Sequence, residues 1–297
     1  MNETWVDLLL PRLSHTRPIL IAGPTASGKS ALALALAQRD GRSVVNADAL
    51  QVYARWRSLT ARPTPQDEAR AKHCLYGHIG RDAPYSVGHW LREVAAVIAA
   101  GRPLVIVGGT GLNLTALTEG LVDIPETPPQ VRAIADARRV TEGIAGLLAE
   151  LDPATAARID RANPARVQRA WEVMQATGRG LADWQAETRP ALIPLRKADA
   201  VVLQPLPDWL NPRIDRRFDA MLAEGALAEV AAELPFWDAN QTSSRAIGAR
   251  ELVAHLRGEL ALDTAIAAAK LASRQYAKRQ RTWIRSRMSG WNAVSLP

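Results

Sequence analysis

The sequence predicts an α/β fold, a parallel sheet flanked by helices and interrupted by an all-helical insertion. Three observations predict it. Short apolar runs at Pro18–Ala22, Arg42–Ala47 and Pro103–Val107 are separated by helix-length segments, the alternation that builds a parallel sheet. Two of these runs lead straight into glycine-rich loops, which suits the carboxyl edge of such a sheet, where ligands bind. From Pro125 to about Leu195 the texture changes to helices broken by Pro and Gly, and strand texture returns at Ala198–Leu203. The expected division is therefore a core built from 1–125 and 196–297, with a helical domain at 126–195.

Pro18–Ala22 is the first strand, and it delivers Gly23-Pro24-Thr25-Ala26-Ser27-Gly28-Lys29-Ser30. This stretch fits G-x-x-x-x-G-K-[ST] at every fixed position, the loop whose backbone amides cradle a di- or triphosphate. Gly23 and Gly28 are expected to adopt angles that a Cβ would forbid, so that successive amides turn toward one anion. Lys29 neutralises phosphate oxygens, and the Ser30 hydroxyl is placed to hold Mg²⁺. Average residue usage yields about one such match per hundred chains of this length, before the flanking strand and helix are counted. The core is accordingly expected to be P-loop NTPase-like. The run Ala31–Ala37 alternates Ala and Leu, which by periodicity alone suggests a strand. Both are strong helix formers and Gly41 supplies a stop, so a helix is expected.

The second strand, Arg42–Ala47, delivers Asp48 to the same edge of the sheet, followed by Ala49-Leu50-Gln51-Val52-Tyr53. One Asp after a strand is by itself more often a turn or helix cap. Ala61-Arg62-Pro63-Thr64-Pro65 should be extended, because both prolines disfavour helix. His73, Cys74 and His78 have loose metal-ligand spacing, but no second cluster completes a zinc site. A helix should open at Pro84–Val87 and run to about Ala100 before Gly101. The strand Pro103–Val107 then runs into Gly108-Gly109-Thr110-Gly111-Leu112-Asn113, where glycines allow a ligand close to the backbone and Thr110 offers one hydroxyl. Lys29 and Ser30, Asp48 and Thr110 thus converge on one sheet edge from three segments. The convergence is more specific than Asp48 or Thr110 alone.

The insertion balances nine Arg against nine acidic residues, so it is not basic in bulk. Asn163-Pro164 opens one of its helices by N-cap and first-turn proline, with Val167, Ala170, Trp171 and Met174 as the buried stripe and Arg166 and Arg169 outside it. The last helix differs. From Lys270 to Arg287 there are seven Lys or Arg and no acid, and Lys270, Arg274, Lys278, Arg281 and Arg285 form one stripe. Like charges stacked on one face cost helix stability, so a polyanion is expected there.

The whole chain of 297 residues carries a formal charge of +7, which also favours a polyanionic partner. Of its basic residues 32 are Arg and five Lys, a ratio that a GC-rich coding bias explains as well as phosphate recognition does. Cys74 is the single cysteine, so no internal disulfide or Cys-pair zinc site exists. Glu3 and Asp7, beside an apolar run of only Leu8-Leu9-Leu10, do not fit a signal peptide, and no apolar run approaches a membrane span. A cytoplasmic chain without a membrane partner is expected. Most of the nine Trp should pack in cores rather than stack on bases.

With these residues assembled, the chain resembles the tRNA dimethylallyltransferases, the IPP transferase family. The resemblance covers nearly the whole length, through Gly23–Ser30, Asp48–Tyr53, Thr60–Pro65, Pro84–Val87, Gly108–Leu112, Asn163–Gly178, Ile214–Val230, Ile247–Glu251 and Lys278–Arg285. The chain departs from the family pattern at Ala49, Asn113, the Leu59–Pro63 segment and Ala249. The resemblance implies a dimethylallyl transfer from dimethylallyl diphosphate to the exocyclic amine of the adenosine 3′-adjacent to the anticodon. Gly23, Pro24, Thr25, Ala26, Ser27, Gly28, Lys29 and Ser30 would hold the diphosphate, in place of ATP, with Mg²⁺ on Ser30. Lys29, Asp48 and Thr110 would be catalytic, Asp48 taking the amine proton. Asp48, Ala49, Leu50, Gln51, Thr110, Arg132, Arg166, Arg169, Arg245 and Arg250 would meet the tRNA anticodon stem-loop, the helical domain sharing in that contact, and the chain would act as a monomer. Two other readings stay open at this point: a small-molecule or nucleotide kinase on the same loop, and a catalytically weakened RNA-binding relative, suggested by Ala49, Asn113 and Ala249.

Overall fold

The structure, a computed structural model, describes residues 4–296, so Glu3 lies outside the described residues. The chain forms two compact units. One comprises the chain up to Glu119 and from Leu192 onward, and the other is Gly120–Ala191, a few residues earlier at both ends than the composition change suggests.

The first unit holds one six-stranded sheet, with β1 (Ile19–Ala22), β2 (Ser43–Asn46), β3 (His73–Cys74), β4 (Leu104–Gly108), β5 (Asp199–Pro205) and β6 (Asn292–Leu296). The strand order is β3-β2-β4-β1-β5-β6 and every pairing is parallel. All residues of β1, β2 and β4 are buried. Covered on both faces, such strands read as continuous apolar runs rather than alternations. Alternate side chains still divide between two cores. Leu20, Val45, Leu104, Ile106 and Val202 pack with Trp90, Val94, Leu114, Leu117 and Ile284 on one face. Ile19, Ile21, Val44, Val105, Val107 and Val201 pack on the other with Leu32 and Leu36. Those two leucines belong to the helix Lys29–Asp40, which ends at Gly41 with φ +66°. Residue propensity therefore prevails over the Ala/Leu alternation.

Three elements depart from the sequence reading. The strands β3 and β6 were not expected: β3 is two residues long and the first four residues of β6 are not buried, so neither writes an apolar run. Pro65 does not extend the segment before it but opens a helix, Pro65–Arg70. A proline is tolerated in the first turn, where no N–H is needed, and Thr64 and Asp67 close a capping box around it.

Beyond the sheet, a second cluster gathers Phe218, Ala226, Val230, Ala249, Leu252, Val253 and Ala269 around the fully buried Trp56. The Glu229 carboxylate ties this cluster to the segment before Thr60, accepting from the amides of Arg57, Ser58 and Leu59 at 2.5, 3.0 and 3.0 Å. The unit Gly120–Ala191 contains five helices and, among the described residues, no strand. Its core is Ala135, Leu147, Leu151, Val167, Ala170 and Trp171, with Met174 partly buried against it, and Asn163 caps the helix Pro164–Thr177 as expected. In the first unit, Ile193 N–H donates to the Leu117 carbonyl at 3.1 Å, so the chain returns close to where it left.

Candidate active site

The strands β2, β4 and β1 are neighbours, so the segments following their carboxyl ends meet. After β1, Gly23–Ser30 turns into the helix Lys29–Asp40. No side chain caps that helix, which leaves its first amides and the positive end of its dipole facing the loop. Gly28 has φ +89°, as expected. Gly23 is needed for a different reason from the one expected. Its φ is not positive, but a Cβ there would lie 2.8 Å from Ser27 Oγ and 3.2 Å from Leu203 Cβ. Lys29 Nζ donates to the Pro24 carbonyl at 3.3 Å. The Ser30 hydroxyl belongs to an exposed residue.

Asp48 leaves β2 in a fixed posture. Asn46, the last residue of the strand and fully buried, accepts from the Asp48 amide at 2.8 Å and donates to the Asp48 and Leu75 carbonyls at 3.0 Å each. Asp48 Oδ1 then accepts from Leu50 N–H at 2.9 Å. The Gln51 amide nitrogen donates to the Thr60 and Ala61 carbonyls at 2.8 and 3.0 Å, which leaves its oxygen as a free acceptor. Thr110 Oγ1 accepts from Ala49 N–H at 3.0 Å, joining the second and third segments. This contact uses the backbone, so the alanine at 49 does not disturb it.

Sequence reasoning missed the other half of the site. The helix Pro207–Ala223 supplies Arg213, whose Nε donates to the Ala26 carbonyl at 3.1 Å, and Arg217, whose guanidinium donates to Thr25 Oγ1 at 3.1 Å. The helix Leu262–Arg287 supplies Tyr276, Gln280 and Trp283, spaced 4 and 3 and therefore on one face. Arg217, Gln280 and Trp283 lie in stretches that carry the family resemblance, but no chemical motif assigns them to the site. Gln280 is buried in a helix that the sequence reading took only for its charge. This helix also corrects the expectation for the glycine loop. A Cβ at Gly108 would lie 2.2 Å from the Ala47 carbonyl oxygen, at Gly109 2.3 Å from Gln280 Nε2, and at Gly111 2.1 Å from Trp283 Nε1. These glycines make room for the chain itself.

Two cavities flank Tyr276 and Gln280, which line both. One, of about 100 Å³, is polar and holds Lys29, Asp48, Gln51, Thr60 and Arg217. The other, of about 210 Å³, runs along Gly108–Leu112 and is lined also by Leu114, Trp283, Ile284 and Met288. Burial of Lys29 and the nearby Arg217 charge lower the Lys29 pKa to about 8, against the opposing pull of Asp48. Burial likewise lowers Arg217 and raises the Tyr276 phenol. Without a ligand, then, Lys29 loses its proton above about pH 8. An anionic diphosphate favours the protonated form, so binding above that pH takes up a proton. Pyrophosphate affinity is expected to fall by up to tenfold per pH unit above it as the Lys29 charge is lost. Calorimetry in buffers of different ionisation enthalpy reads the proton uptake, and a flat profile would contradict the assignment.

Of the other expected tRNA contacts, Arg245 and Arg250 are exposed in the first unit. Arg132 and Arg169 in the second unit lie 3.9 and 3.8 Å from Glu172, and Arg166 lies 3.7 Å from Asp160. Arg169 also donates to Thr127, and its burial lowers its pKa. The stripe on the last helix divides in two. Lys270 and Arg274 pair with Asp219 and Asp215 of the helix Pro207–Ala223 at 2.6 and 2.5 Å, so these two fasten helix to helix. Lys278 and Arg285 are exposed, and Arg281 between them is half-buried. Changing Lys278 and Arg285 together to Gln is expected to make the slope of log tRNA affinity against log salt shallower by about one to two units. An unchanged slope would remove them from the RNA surface.

Comparison with known proteins identifies the family. The IPP transferase family profile matches residues 51–287, and the isopentenyl transferase profile matches residues 17–76. A tRNA dimethylallyltransferase of Cereibacter sphaeroides is 66% identical over 288 residues, covering 97% of this chain and 92% of its own. The tRNA isopentenylpyrophosphate transferase of Bacillus halodurans superposes with a TM-score of 0.65 at 30% identity, over 94% of this chain and 89% of the other. A eukaryotic dimethylallyltransferase solved acting on tRNA superposes with a TM-score of 0.78 at 26% identity, over 94% of this chain and 74% of the other. Family profile, full-length identity and fold agree: the chain belongs to the IPP transferase family.

Proposed function

We propose that the chain is a tRNA prenyltransferase that moves a dimethylallyl group from dimethylallyl diphosphate to the exocyclic amine of the adenosine 3′-adjacent to the anticodon. The observation that carries this reading is the pairing of a phosphate loop with an apolar cavity across Tyr276 and Gln280. A five-carbon allyl group suits a cavity of about 210 Å³ lined by Leu, Trp, Ile and Met, which offers a nucleoside few polar partners.

In this reading the allylic C–O bond breaks and a C–N bond forms at the amine. Lys29, Arg217 and the loop amides meet the negative charge that develops on the departing diphosphate. The base must leave its stack to enter the polar cavity. Asp48, with Oδ1 held by Leu50 N–H, has Oδ2 to accept the amine proton. The free Gln51 oxygen is a second acceptor, so the pair favours an amino group over a carbonyl. The exposed Ser30 hydroxyl would hold Mg²⁺ beside the diphosphate. When bound, Mg²⁺ would neutralise diphosphate charge. The anticodon stem-loop as the recognised part, action as a monomer and a cytoplasmic setting belong to the same proposal. No helix among the described residues is long and apolar enough to cross a membrane.

Incubation of the protein with labelled dimethylallyl diphosphate or labelled ATP, each with bulk tRNA, tests the reading. Label from the first and not the second should enter tRNA. Phosphate transfer from ATP, or tRNA binding without label, would favour the kinase or the non-catalytic relative instead.

A further inference from the structure

Gln280 is the neutral polar side chain, 6% exposed, among the otherwise apolar buried residues Ala265, Ala269, Ala277 and Ile284 of the helix Leu262–Arg287. Its Oε1 accepts from Thr25 N–H at 2.9 Å, and its Nε2 donates to the Gly109 carbonyl at 2.9 Å. The amide orientation is forced, because the flipped form would set donor against donor and acceptor against acceptor. One turn earlier, the Tyr276 hydroxyl interacts with the Gln280 and Thr110 side chains. A single amide thus joins the phosphate loop, the glycine loop carrying Thr110, and the last helix. Thr25 N–H is one of the amides of the phosphate loop, and here it is turned to a side chain.

We propose that Gln280 is a positioning residue. It fixes the phosphate loop relative to Thr110, so that the leaving group and the acceptor site stay in register. It does so from the helix whose outer side carries Lys278 and Arg285. Small displacements of a reacting pair are costly in rate, and buried hydrogen bonds to backbone are what hold such a register. The glycine at 109 follows from the same device, since a Cβ there would displace the amide.

The test uses the full chain with Gln280→Met, which keeps length and loses both hydrogen bonds, and with Gly109→Ala, which pushes Gln280 aside. Pyrophosphate affinity, tRNA affinity, kcat, KM and thermal midpoint are measured for each. Both variants should weaken pyrophosphate binding and lower kcat by about tenfold or more, with tRNA affinity within about twofold of wild type. Because they act on one contact, the double variant should be little worse than either single one. The kinetic measurements rest on the prenyl-transfer reading, whereas pyrophosphate binding does not. If wild type binds pyrophosphate yet transfers no prenyl group, that reading fails and binding alone decides. Two results would overturn the proposal. In one, Gln280→Met lowers only the thermal midpoint, which makes the amide a packing element. In the other, it weakens tRNA binding while pyrophosphate binding is untouched, which makes it an RNA contact.

Discussion

Asp48→Asn is expected to lower the single-turnover rate of prenyl transfer on bound tRNA by about 10²–10⁴-fold. The substitution is nearly isosteric, and the remaining side-chain oxygen can still accept from Leu50 N–H, as Oδ1 does at 2.9 Å. The Asn46 clamp on the Asp48 backbone does not involve the side chain and also survives. Shape and posture are therefore preserved, and what is lost is the second oxygen as a proton acceptor. Affinity for tRNA should change little, because one hydrogen-bond acceptor remains. A variant with the wild-type single-turnover rate would show that Asp48 only caps the turn after β2.

Lys29→Ala is expected to cost about a hundredfold or more in kcat/KM, the loss typical of removing one charged partner from a developing anion. Arg217 remains in the variant and limits the loss, since its guanidinium donates to Thr25 in the same cavity. The double variant Lys29→Ala/Arg217→Ala should then fall well below either single change. The fall in pyrophosphate affinity above about pH 8 should be lost with Lys29, which ties the two measurements to one ammonium group. Near-normal turnover in Lys29→Ala would remove the phosphate loop from the mechanism.

The half of the site written in contiguous motifs was legible in the sequence. Gly23–Ser30, Asp48 and Thr110 each follow a buried strand, and a parallel sheet delivers strand ends to one edge. Arg213, Arg217, Tyr276 and Gln280 were not legible, because they reach the site from helices far away in the chain. Their sequence spacing records only a helix face and says nothing about what the face meets. The basic stripe shows the same limit. Its acids, Asp215 and Asp219, lie on another helix, so the sequence displayed an unpaired row of cations where the fold has two ion pairs, two exposed charges and the half-buried Arg281. The glycine loop was read as a place where a ligand approaches the backbone, but what comes close there is Ala47, Gln280 and Trp283.

The hydrogen bond from Ile193 to Leu117 gives the fold a natural graft point. A segment whose two ends are pinned side by side adds no strain to its host, and the entropy of closing the host's gap grows only with the logarithm of what is spliced in. The tenant Gly120–Ala191 keeps an apolar interior of its own. Its length and surface are therefore free to drift, be trimmed or be exchanged by recombination without disturbing the register of β1, β4 and β5. The chemistry of the host and the surface of the tenant can evolve at different speeds.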